Sequence, residues 1–104
     1  MRYISTRGAA AALDFEGATL AGLASDGGLY VPESWPALDE AGIAGLAGRS
    51  YVDTAVAVMH PFLGGALTRE ELRALCEQAY GRFAHAAVTP LVQLDPRHWV
   101  LELF

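Results

Sequence analysis

Lysine is missing from all 104 residues; the seven basic side chains are all arginine. Chemistry that needs a side-chain amine is therefore excluded within this stretch. No lysine imine can form on a carbonyl group, and a glycine-rich phosphate loop would lack its lysine. Cysteine is nearly absent too: Cys76 stands alone, so no internal disulfide exists and no oxidising compartment is required. Long hydrophobic runs are also lacking. Ala9 to Leu13 stops at Asp14, too short for a secretory signal. The uncharged stretch from Thr54 to Thr68 is broken by His60-Pro61 and Gly64-Gly65, the wrong pattern for a membrane span. With no membrane partner implied, the expectation is a soluble cytoplasmic protein.

What is present is apolar and small. Hydrophobic residues make up 53% and charged ones 18%, which argues for a packed chain and against disorder. Nineteen alanines and 11 glycines supply much of that fraction, so close backbone approach contributes to the core alongside large side chains. The length suits one domain over residues 1–104. Net charge is −5 and the arginines are scattered, so no phosphate-tracking stripe for nucleic acid is expected.

Patterning predicts an α+β fold with about four helices. A short extended segment opens at Arg2 to Thr6, where Tyr3 and Ile4 favour strand. Asp14 caps a helix expected to run to about Ser25 with a Leu13, Leu20, Leu23, Ala24 stripe, and Asp26-Gly27-Gly28 ends it. Leu29-Tyr30-Val31 reads as a strand confined to an edge or end by Pro32. Pro36 to Gly48 is a helix weakened by Gly42, Gly45 and Gly48. Ser50 opens a stronger one, with Tyr51, Ala55, Val58 and Phe62 on one side and Pro61 ending it. Thr68 and Glu71 have capping-box spacing before the regular stripe Leu72, Leu75, Cys76, Ala79, Tyr80 and Phe83. Leu91 to Leu94 and His98 to Phe104 form two strands around an Asp95-Pro96 turn. Strands from the two chain ends are expected to meet in one small mixed or antiparallel sheet. Stopping within an apolar strand, the chain reads as a portion cut from a larger polypeptide.

Most polar groups have ordinary structural explanations. His60, Cys76, His85 and His98 lack paired ligand spacing, so no metal site is expected. Gly42 to Gly48 has the wrong glycine order for a dinucleotide loop. Asp39-Glu40 and Glu70-Glu71 are neighbours whose side chains diverge on helices. Ser5-Thr6-Arg7-Gly8 is different: two hydroxyls and a guanidinium beside a flexible glycine match a phosphate or carboxylate. Ser5, Thr6 and Arg7 are thus the candidate ligand-contacting residues, against the alternative of a solvated strand end.

Three segments together resemble a known family. Tyr3-Ile4-Ser5-Thr6-Arg7-Gly8, the block from Gly22 to Glu33 (Gly-Leu-Ala-Ser-Asp-Gly-Gly-Leu-Tyr-Val-Pro-Glu) and Leu101-Glu102-Leu103-Phe104 are similar to the amino-terminal domain of threonine synthases. Ser50-Tyr51, Pro61-Phe62, Ala79-Tyr80 with Phe83, and Pro90-Leu91 follow in the same order. The resemblance implies a fold-type II enzyme that uses pyridoxal phosphate to turn O-phospho-L-homoserine and water into L-threonine and phosphate. It places the chain just before a His-Gly-Pro-Thr segment and the cofactor lysine. No catalytic or cofactor-binding residue is then expected within residues 1–104. The partner would be the remainder of the polypeptide, with Ser5, Thr6 and Arg7 near the substrate cleft. A paralogue acting on another phosphorylated hydroxy amino acid, or an interaction module with no enzyme attached, remain open alternatives.

Overall fold

A computed structural model describes residues 1–103, in the order β1 (Tyr3–Ser5), α1 (Phe15–Ala21), β2 (Tyr30–Pro32), α2 (Glu40–Ala44), α3 (Tyr51–Met59), a 3-10 turn (His60–Leu63), α4 (Arg69–Tyr80), β3 (Leu91–Asp95) and β4 (His98–Leu101). The α+β class and the four α-helices agree with expectation. The single sheet does not. Among the described residues β1 pairs with β2, with an added bridge from Tyr3 to Leu13, and β3 pairs with β4, both ribbons antiparallel, so the two chain ends lie in separate ribbons. Leu91 faces Leu101 across a turn of two residues, and so short a closure brings β4 to β3 before any distant strand can compete. The expected extension of β4 through Glu102 and Leu103 does not form, and Phe104 lies outside the described residues.

Each helix starts where a side chain can satisfy an orphan amide. Asp14 accepts from the Gly17 amide, Asp39 from Gly42, and Ser50 from Asp53. Thr68 and Glu71 complete a reciprocal capping box at the start of α4. Helix ends were harder to foresee. α1 stops at Ala21, not Ser25, because Gly22 turns the chain at φ 69°. Leu20 and Leu23, expected in its apolar stripe, are instead 81% and 66% exposed. The weak helix is reduced to the five residues of α2, while Pro61 converts the end of α3 into the 3-10 turn.

The core lies between α3, α4 and the 3-10 turn. Val56, Leu63, Leu72 and Cys76 are buried together, with Phe15, Val52 and Met59 half-buried against them. Val56 takes the inward place expected of Val58, which is exposed. Tyr3 is buried as well: its ring lies 6.2 Å from that of Phe15, and its hydroxyl donates to the Phe62 carbonyl at 2.9 Å. This fastens β1 onto the helical layer. The radius of gyration is 16.4 Å, against about 13 Å for a compact chain of this length. Every residue of the β3–β4 ribbon is exposed, on both faces.

Candidate functional site

β1 runs into the turn Thr6-Arg7-Gly8, closed by the Gly8 amide donating to the Ser5 carbonyl at 3.0 Å. Gly8 sits at φ 77°, a conformation that glycine adopts without penalty. Across from this turn stands Asp26. One carboxylate oxygen, Oδ1, accepts from the Ser5 hydroxyl at 2.7 Å and the Gly28 amide at 2.9 Å. The other, Oδ2, accepts from the amides of Ala9 at 3.0 Å and Ala10 at 2.9 Å. The Ser5 hydroxyl, then the Gly28 amide, with Ala9 and Ala10 adding to them, hold this carboxyl down at about 2 despite some desolvation.

The three residues singled out from sequence are brought together here with unequal freedom. Ser5 is buried, and its hydroxyl both donates to Asp26 and accepts from the Arg7 amide at 3.1 Å. Thr6 is exposed, and its hydroxyl accepts from the Leu29 amide at 3.0 Å. Arg7 is exposed; its Nη1 donates to the backbone carbonyl of Asp26 at 3.0 Å. Among the described residues no carboxylate pairs with Arg7. Among the described residues the rest of its planar fork is left unbonded, a geometry suited to an anion with two acceptor oxygens.

Asp26 is the residue whose bonds sequence reasoning did not foresee: Asp26-Gly27-Gly28 reads first as a helix exit and turn, with a site wall as the lesser alternative. Yet the helix has ended by Gly22. The glycines serve close approach instead. A Cβ on Gly27, at φ 77°, would come within 2.7 Å of the Arg7 Nη1, and one on Gly28 would run into the Ser5 hydroxyl. Aspartate's habit of binding the backbone two residues on was the available signal.

Elsewhere the polar groups build structure. Asp95 accepts from the amides of Arg97 and His98 and pairs with the His98 ring at 2.6 Å, stiffening the β3–β4 turn. Asp53 joins Ser50 to Arg73, linking α3 with α4. Cys76 is a core residue whose thiol is pushed up by burial. Among the described residues no three His, Cys, Asp or Glu side chains gather as a metal set, and no helix is long and apolar enough to cross a membrane.

This is a small α+β domain in which one turn, braced by Asp26, carries an exposed arginine. The match to known proteins is more specific. The family described as the threonine synthase N terminus matches residues 2–80. Threonine synthase of Pseudomonas aeruginosa is 54% identical over 104 residues, covering 100% of this chain and 22% of that protein. Human threonine synthase-like 2 is 39% identical over 105 residues, again 100% and 22%. The structure of pyridoxal-phosphate-bound threonine synthase from Brucella melitensis superposes with a TM-score of 0.93 at 50% identity, covering 100% of this chain and 22% of that one. The chain belongs to the threonine synthase family, as its amino-terminal domain, and spans about a fifth of these relatives' length.

Proposed function

We propose that residues 1–104 form one domain of a pyridoxal-phosphate-dependent enzyme converting O-phospho-L-homoserine and water to L-threonine and phosphate. The observation that carries this is a match over the full chain, at 54% identity, to a threonine synthase. The cofactor's attachment lies outside this chain. The chain's amine is the Met1 α-amino group, and it is packed so closely on Gly64 that a Cβ there would approach its nitrogen to 2.6 Å. A lysine from the remainder of the polypeptide supplies the missing nitrogen, so this portion is inactive alone.

Two features of the chain support its part in such an enzyme. The β3–β4 ribbon is apolar on both sides: Leu91, Trp99 and Leu101 share one face, and paired Val92 and Val100 share the other. A free two-stranded ribbon is marginal in water, so cover from the rest of the polypeptide is its natural complement. The second feature is the turn at Ser5, Thr6 and Arg7, where Ser5 and Thr6 shape the backbone and Arg7 is exposed with donors to spare among the described residues; on our reading it lies near the substrate cleft and serves the phosphate.

The test is direct. The full-length polypeptide carrying this domain, loaded with cofactor, is assayed for phosphate release and threonine formation from O-phospho-L-homoserine. Both products are expected in equal amounts. Phosphate without threonine would favour the threonine-synthase-like phospho-lyase alternative, and neither product would favour an interaction module.

A further inference from the structure

Building on the placement of Ser5-Thr6-Arg7 at the cleft, we propose that Asp26 is a positioning residue that presents the Arg7 guanidinium, already seated, to the substrate's phosphate. Its carboxylate bonds both flanks of the turn, Ser5 before Arg7 and Ala9 and Ala10 after it. Its backbone carbonyl holds Arg7 Nη1 directly. The two roles are complementary. With each carboxylate oxygen accepting from two donors, the negative charge is spent on the turn, and no ion pair forms with Arg7. A carboxylate free to swing onto the guanidinium would neutralise the cation that an anionic ligand needs. Gly27 completes the seat by leaving room for Nη1 where a side chain would displace it. Holding the fork in place before binding reduces the ordering that binding must otherwise supply.

Asparagine at this position is nearly isosteric but keeps one acceptor oxygen, so one pair of donors is left facing an NH2 group. Steady-state kinetics of the cofactor-loaded, full-length enzyme separate the possibilities. Arg7→Ala is expected to raise KM for O-phospho-L-homoserine by about tenfold or more, and to weaken inhibition by inorganic phosphate in parallel. Asp26→Asn is expected to raise KM by about fivefold with kcat within about twofold, and to add almost nothing in the Arg7→Ala background. An unchanged KM in Arg7→Ala would sink the placement at the cleft itself. A KM raised by Arg7→Ala but not by Asp26→Asn, or an Asp26→Asn penalty of equal size in both backgrounds, would overturn the role of Asp26 alone. Should Asp26→Asn fail to fold, Ser5→Ala keeps the carboxylate and removes the hydroxyl that ties Asp26 to the front of the turn. It must show the same Arg7-dependent rise in KM, and a normal KM there overturns the proposal.

Discussion

The two ribbons are both antiparallel and have opposite surroundings. β1–β2 is three residues long on each strand, yet Tyr3 and Ser5 are buried, Asp26 braces its end, and the Tyr3 hydroxyl reaches the helical layer. β3–β4 is longer and nowhere buried, with Leu94 68% and Trp99 52% exposed. Ladder length is therefore a poor guide to which ribbon is secure. Side-chain burial and satisfied polar groups decide it, because a ladder alone exchanges protein–water for protein–protein bonds at small net gain.

The comparison is broken or sharpened most severely by aromatic truncation. Tyr3→Ala is expected to cost about 3–5 kcal/mol in urea unfolding of the chain, the range for a large buried aromatic. A cost near zero would mean the first ribbon is no better anchored than the second. Acid attacks the same ribbon through its brace. Asp26 is held well below the ordinary aspartate value of about 4, so it stabilises the fold fully above that value and loses its contribution as pH falls through about 2. Asp26→Ala should flatten that part of the stability–pH curve, as followed by circular dichroism. Removing the α4 cap with Thr68→Ala should cost about 1 kcal/mol, a local loss that leaves the contrast between ribbons intact. The smallest effect is expected at Trp99→Ala, within about 0.5 kcal/mol in the isolated chain. In the full-length polypeptide the same change should become a large one, with the β3–β4 amides gaining protection from hydrogen exchange. Equal exchange in both settings would remove the case for a covered ribbon.

Local chemistry was legible from sequence, and partnership was not. Asp14, Ser50 and the Thr68–Glu71 box announce helix starts because a cap acts within three residues of itself. Leu91 to Leu94 and the segment from His98 onward show their alternation equally locally. Helix ends, and the choice of Val56 over Val58 for the core, depend on what lies opposite. So does the function of Asp26, whose bonds to Ser5, Ala9 and Ala10 span 16 to 21 residues. Ser5, Thr6 and Arg7 were recognisable as a group by donor chemistry, but only the three-dimensional arrangement distinguishes the spent hydroxyl of Ser5 from the open fork of Arg7. The missing lysine was legible at once, since an absent functional group needs no fold to reveal it.

The bond from the Tyr3 hydroxyl to the Phe62 carbonyl acts as a rivet, four positions upstream of Arg7. It ties the strand that leads into Arg7 to the layer carrying Phe62. Tyr3→Phe would remove that bond while the ring stays against Phe15 and the backbone stays bridged to Leu13, so the strand would be loosened without being released.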